Sequence, residues 1–362
     1  MNFMNTKIKQ KLRSTIPPKW LWRLQRNRIR QNLVHLHGPQ SIPLQKDQAV
    51  VTCVVRNGAY FIDSFIQHYQ AMGFAHIFFM DNGSSDATIE IAKSYRNVSI
   101  FHSTLPINSY QRLFKRYLAE RSGKGGWCLD ADIDELFDYP LSDAVDLQSF
   151  LSYLNDSRYT AVITQMLDMF AKTFPPSSDS RGDLQRLYTF YDLSAVSHTD
   201  YGSAELIRRF ASANTVDSAG AELLWGGIRE ALYGNHCLLT KHSLFYPAAI
   251  EAFPHVHMVN GARVADVSGI LLHYKLTANA MEMAIQNRDH FTQNSDSYGA
   301  FVEMLKKQQL PNLNGHSAKR FVNVQDLEKE RFVRVPRKYR EYAASLQPLQ
   351  SSEAHAAAGL SR

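Results

Sequence analysis

The sequence predicts an α/β fold: a doubly wound, mostly parallel sheet followed by a looser C-terminal subregion. Three observations point there. AVVTCVV (49–55) is an unbroken apolar, β-branched run, as a strand covered on both faces requires. Strand-like runs then alternate with amphipathic helical stripes through four strands, the rhythm of parallel strands joined by crossover helices. Past about residue 140 that rhythm gives way to short strands and Gly-rich turns.

Taken in order, the first strand is followed by Phe61, Ile62, Phe65, Ile66, Tyr69 and Met72 at helical spacing, with Gly73 as the stop. HIFFMD (76–81) is the second strand, and Ser84 or Ser85 is placed to cap a helix carrying Ile89, Ala92 and Tyr95. VSIFH (98–102) is the third, and Tyr110, Leu113, Phe114, Tyr117 and Leu118 stripe the next helix. WCLDA (127–131) is the fourth and runs straight into Asp132-Ile133-Asp134-Glu135. A short helix near 146–154 and a strand at 160–167 lead to a Pro/Ser/Asp-rich loop at 174–183. Residues 278–291 are again helical, and the Ala/Ser-rich end from about 347 reads as a disordered tail.

Charge is unevenly placed. Of 40 Lys/Arg and 34 Asp/Glu, residues 1–46 hold ten basic and no acidic residues, leaving a mildly acidic body. The expected division is a basic arm (1–46), a main domain (47–300) with halves meeting near 140, and a C-terminal extension (301–362). No stretch reaches the roughly 18 apolar residues of a membrane span. Trp20, Leu21, Trp22, Leu24 and Ile29, set among Arg23, Arg26, Arg28 and Arg30, suit an anionic membrane surface. They equally suit a basic helix that docks on the body through its tryptophans. No recognition module accompanies the charge, so nucleic acid is not an expected partner. Cys53, Cys128 and Cys237 lack metal-type spacing; Cys53 and Cys128 sit in apolar strand-like runs as buried thiols, and a reducing cytoplasm fits. The expected location is the cytoplasm, with the arm as the route to peripheral attachment at an inner membrane face.

Asp132 and Asp134 stand one residue apart, so in extended backbone their carboxylates project to one side. Such neighbours repel unless a cation sits with them, and Mg²⁺ or Mn²⁺ suits a hard oxygen site completed by substrate phosphates. The cluster lies beyond the carboxyl end of a strand, where open α/β sheets bind ligands. A solvated acidic turn is the plainer reading of a bare Asp-x-Asp, but the strongly apolar strand before it favours a site. Asp81 ends the second strand and Arg56-Asn57 the first, so three strand ends offer polar groups to one edge. DNGSSDAT also works as a simple turn, and Asp81 is compatible with both uses.

These stretches resemble a known family. CVVRNGAYFIDSFIQHYQAMGF, HIFFMDNGSSDAT and WCLDADIDELF look like the successive motifs of bacterial family-2-type glycosyltransferases with the GT-A fold. LDMF (167–170), GGIREALYG (226–234), LTKH (239–242) and GILLHYK (269–275) extend the likeness over about residues 50–300. The resemblance implies a GT-A-like fold with a nucleotide-binding half (47–140) and an acceptor-side half (141–300). It implies transfer of a sugar from a nucleotide-sugar donor to a glycan or glycolipid hydroxyl, in cell-surface polysaccharide or lipopolysaccharide synthesis, using Mn²⁺ or Mg²⁺ and inverting the sugar. Asp132 and Asp134 would be metal and diphosphate ligands, and His273 a third metal ligand. Arg56, Asn57, Asp81 and Asp132 would line the nucleotide pocket. Arg229 would assist the metal in stabilising the departing phosphates. For the carboxylate base that inversion needs, Glu230 stands first, then Asp168 and Glu135.

Two departures stand out. Gly58 replaces the acidic residue usual after Arg-Asn, which predicts a missing nucleotide contact. Leu136-Phe137 reverses the common order and conserves volume. His255 and His257 alternate on one face of an expected strand and read as structural or acceptor-side. The rival enzyme is a haloacid-dehalogenase-like phosphatase, with Asp130 as nucleophile, although that motif normally ends the first strand. Sugar-nucleotide pyrophosphorylases would need glycines that Arg56-Asn57-Gly58-Ala59 lacks. A non-catalytic, membrane-docked binding protein is supported by Gly58 and opposed by the intact Asp132/Asp134 pair.

Overall fold

The computed structural model describes residues 18–172, 184–217, 220–290, 295–306 and 317–346. The arm's first seventeen residues, the loop expected at 174–183 and the tail expected from 347 fall outside them. Helix α1 (Pro18–Gln31) and edge strand β1 (Val34–His37) precede the four expected strands, β2 (Ala49–Val55), β3 (His76–Asp81), β4 (Val98–His102) and β5 (Trp127–Asp130). These four pair in parallel in the order β4-β3-β2-β5. Helices α2 (Ile62–Ala71), α3 (Thr88–Lys93) and α4 (Ile107–Ser122) supply the crossovers, each laying a buried apolar face on the sheet. Strand order reverses between β2 and β5. The crevice beyond their carboxyl ends is therefore the topological switch point, where such sheets bind ligands.

Neither Ser84 nor Ser85 caps α3. The helix starts at Thr88, and Asp86 Oδ1 accepts the Thr88 N–H at 3.0 Å. Ser84 is drawn to the neighbouring strand end, where its Oγ accepts the Asn57 N–H at 2.9 Å.

Past β5 the sheet becomes mixed. After β6 (Glu135–Asp138) and helix α5 (Leu147–Asp156), β7 (Ala161–Phe170) runs buried along its whole length. β7 outlasts the strand expected at 160–167 because Asp168, which interrupts the apolar run, is neutralised inside the sheet. Short helix α6 (Ile228–Tyr233) leads to β8 (Thr240–Phe245), which is antiparallel to both β5 and β7. β9 (Gly269–Leu276) lies parallel to β7 and antiparallel to β6. His255 and His257 do not share a strand. His255 ends one arm of the hairpin Ala252–His255/Met258–Asn260, and His257 sits in its turn, donating its N–H to His255 Nδ1 at 3.1 Å.

Helices α7 (Ala280–His290) and α8 (Ser295–Lys306) pack together beside the end of β9, with α8 also against α6. From the expected C-terminal extension, Phe332 and Val333 enter the main core. So does Tyr339 of α9 (Arg337–Leu346), whose hydroxyl donates to the Pro140 carbonyl at 2.8 Å.

Helix α1 is docked on α4. Trp22 and Ile29 face inward, Trp22 Nε1 donates to Glu120 Oε2 at 3.0 Å, and the Arg116 guanidinium lies 4.3 Å from the Trp22 ring centroid. Trp20 and Leu24 point outward. Among the described residues no helix is long and apolar enough to cross a membrane. Trp22→Ala should cost about 3 kcal/mol of stability, whereas Trp20→Ala should stay within about 0.5 kcal/mol. Urea denaturation checks both, and an unaltered Trp22→Ala would show that α1 is not held on α4.

Candidate active site

A cavity of about 600 Å³ opens at the switch point, within the usual range of small-molecule sites. Five strands supply its polar wall, with Arg229 on α6: Arg56 and Asn57 after β2, Asn82 after β3, Asp132, Asp134 and Glu135 after β5, Lys241 on β8, and His273 and Lys275 on β9. A shallower groove of about 320 Å³ shares Arg56, Asn82 and Ile107 with it.

Asp132 is clamped by two lysines. Lys115 Nζ of α4 donates to its Oδ1 at 2.9 Å and to Asp130 Oδ2 at 2.8 Å. Lys241 Nζ donates to the other oxygen of Asp132 at 2.8 Å and to Glu135 Oε1 at 2.5 Å. Both lysines are nearly inaccessible, so these are buried ion pairs rather than surface ones. Burial alone would raise the Asp132 carboxyl, but the two ammonium groups outweigh it and hold the group well below the usual carboxylate range. Glu135 is moved the other way: burial, with Asp132 beside it, raises its carboxyl despite Lys241. Lys241 and Lys115 were not singled out as site residues in the sequence. Lys241 had one visible signal, its place in the LTKH stretch (239–242). Asp130, the nucleophile a phosphatase would need, is held by Lys115 and does not line the cavity.

A second cluster follows from strand register. His273 pairs with Asp168 across parallel β9 and β7, and with Glu135 across antiparallel β9 and β6. Its Nδ1 lies 2.5 Å from Asp168 Oδ1, and its Nε2 faces Asp134 Oδ2 at 3.4 Å. Burial would lower the imidazole pKa, but the flanking carboxylates of Asp134 and Asp168 hold it at about 9. The second oxygen of Asp168 accepts Arg229 Nε at 2.8 Å. Burial would raise the Asp168 carboxyl, yet Arg229 and then His273 pull it down to about 2. Gly226 and Gly227 place Arg229: at φ 85° and 70° they swing the chain from strand Glu222–Gly226 into α6.

The remaining expected residues divide. Asn57 adopts a left-handed backbone (φ 53°), which asparagine tolerates. Its side chain accepts the Ser85 N–H at 2.8 Å and donates to Gln286 of α7 at 3.2 Å, tying three segments at the cavity rim. Asp81 is buried and lies outside the cavity lining; it accepts the Gly83 and Ser84 N–H groups and sits 2.6 Å from His102 Nδ1. Glu230 faces His236 at 2.7 Å, also outside the lining. Gly58 has a packing reason, because a Cβ there would fall 2.8 Å from Val55 Cγ2 and 2.9 Å from Ile133 Cγ1. No acidic side chain fits at that place without moving the strand-end loop.

The residues present fit a divalent ion in part. Asp168 orients His273 so that Nε2 faces Asp134, as a carboxylate commonly orients a ligating imidazole. Each oxygen of Asp132, the other expected ligand, accepts one lysine ammonium group. Among the described residues no three His, Cys, Asp or Glu side chains converge as a ligand set.

No protein-family model matches the chain, and no curated protein matches it in sequence. Among solved structures, HddC from Yersinia pseudotuberculosis is similar at a TM-score of 0.32 and 10% identity, covering 66% of this chain and 99% of that one. Mannosyltransferase PcManGT from Pyrobaculum calidifontis, in complex with GDP-Man and Mn²⁺, is similar at a TM-score of 0.29 and 12% identity, covering 94% and 84%. At scores this low neither likeness carries an argument, and the functional reading rests on the site.

Lys241→Met should cost about 3–5 kcal/mol, because it strands Glu135 as a buried unpaired charge. The loss should shrink as pH falls, since a stranded Glu135 regains stability by binding a proton. Urea denaturation at several pH values tests this; a pH-independent loss would mean that packing, not charge, is what Lys241 supplies.

Proposed function

We propose that the chain is a glycosyltransferase that moves a sugar from a nucleotide-sugar donor to an acceptor hydroxyl. The observation that supports this best is the cavity at the switch point, where polar strand ends meet buried carboxylates and cations along one continuous wall. Arg56, Asn57 and Asn82, with the groove they adjoin, suit a base and ribose. Asp134, His273, Arg229 and Lys275 suit the phosphates and the reacting sugar. Residues Asp134 and His273 would hold Mn²⁺ or Mg²⁺, which when bound supplies positive charge to the departing diphosphate. Asp168 keeps the His273 ring in place, and Arg229 keeps Asp168 ionised. A cell-surface glycan or glycolipid acceptor belongs to the proposal through the motif resemblance.

Attachment to an anionic membrane surface is part of the same reading. On α1 the outward Trp20 and Leu24 share the exposed side with Lys19, Arg23, Arg26 and Arg30, and no acidic residue stands among them.

A thermal-shift panel of nucleotide sugars with Mn²⁺ should give one donor that stabilises the wild type. Asp134→Asn should then lower turnover of that donor about a hundredfold or more. Binding by none of the panel, or full turnover in the variant, rejects the transferase reading. Separately, Arg23→Glu with Arg26→Glu should release the protein from phosphatidylglycerol vesicles, at about 1 kcal/mol per basic residue. Equal sedimentation of variant and wild type contradicts membrane attachment through α1.

A further inference from the structure

We propose that Arg229 and Lys275 together form a seat for the terminal phosphate of a diphosphate-bearing ligand. The proposal deepens the transferase reading but stands on observations of its own. Arg229 is 6% exposed and uses Nε on Asp168, yet its buried Nη2 has no hydrogen-bond partner. A charged donor buried without an acceptor is costly, and an anion that reaches it removes that cost. Lys275 is the second unused donor. Its Nζ lies 4.5 Å from the Tyr298 ring centroid and 5.9 Å from that of Phe301, both on α8. Asp134, the carboxylate whose charge reaches it, faces His273 instead. Arg229 is close enough to oppose the Lys275 charge, and both side chains line the cavity.

Two like charges gathered on a buried wall repel, and an anion between them removes the repulsion while filling the empty donors. A terminal phosphate suits the pair better than a carboxylate. It carries more charge, and its three oxygens can meet the flat guanidinium and the compact ammonium at once. The contrast with the clamp around Asp132 is informative. Lys115 and Lys241 each hold two carboxylates, whereas Arg229 Nη2 holds none and both Arg229 and Lys275 line the cavity.

Titration calorimetry with inorganic pyrophosphate, in EDTA and low salt, tests the seat without a metal or a nucleotide. Wild type should bind, Lys275→Met should bind at least tenfold more weakly, and Lys275→Arg should recover part of the loss. Equal pyrophosphate binding by wild type and Lys275→Met overturns the proposal, as does binding by chloride or sulfate with the same strength. If Lys275→Met does not fold, wild-type protein acetylated with acetic anhydride gives the answer by peptide mass spectrometry. Pyrophosphate should shield Lys275, and unchanged labelling refutes the seat. Lys275-dependent pyrophosphate binding without binding of any nucleotide sugar would keep the seat and remove the transferase reading. Nucleotide-sugar binding indifferent to Lys275→Met would do the reverse.

Discussion

Much of this structure answers one electrostatic problem: at the end of β5 Asp130 and Glu135 are buried and Asp132 half-buried, and such carboxylates need partners. Lys115 and Lys241 solve it by holding Asp130, Asp132 and Glu135 between them. The solution dictates architecture. Helix α4 must cross where Lys115 reaches β5, and β8 must insert antiparallel between β5 and β7 to bring Lys241 to the same point. A buried ion network of this kind contributes little net stability compared with apolar packing. Its presence at a cavity wall therefore speaks for a function that needs fixed charge there.

The acidic cluster splits into two kinds of group. Each oxygen of Asp132 is tied to a lysine, while Asp134 is paired more loosely with His273 at 3.4 Å. Strand register sets the second group, because pairing β9 with both β6 and β7 puts His273 between Glu135 and Asp168. Charge is thus graded along the cavity, from a neutralised acidic clamp at β5 to the cations of α6 and β9. A polar, phosphate-bearing donor matches that gradient end to end.

The parallel half was legible in the sequence because its signals are local. Apolar β-branched runs gave β2, β3, β4 and β5 nearly to the residue, and helical stripes gave the crossovers. The crevice was legible too, since polar residues end consecutive strands. The lysine clamp was not. Lys115 lies 17 residues from Asp132 and Lys241 lies 109 away, and only the sheet topology brings them together. The same limit applies to Glu230, whose motif context suggested the cavity while the turn of α6 points it at His236. Asp168 hid the true length of β7 because a charge in a strand reads as an ending until its partners are known. At Gly58, where the resemblance expects an acidic side chain, Val55 and Ile133 crowd any Cβ, which the sequence could not show.

The central claim is that the crevice between β2 and β5 is a donor site with its phosphates at the α6/β9 wall. A crystal structure with a bound nucleoside diphosphate tests it most directly. The account predicts the base near Arg56 and Asn82, with the terminal phosphate within hydrogen-bond reach of the Arg229 guanidinium and Lys275 Nζ. A nucleotide bound elsewhere, or one whose phosphates displace Lys115 and Lys241 from Asp132 while leaving Arg229 and Lys275 untouched, would contradict it.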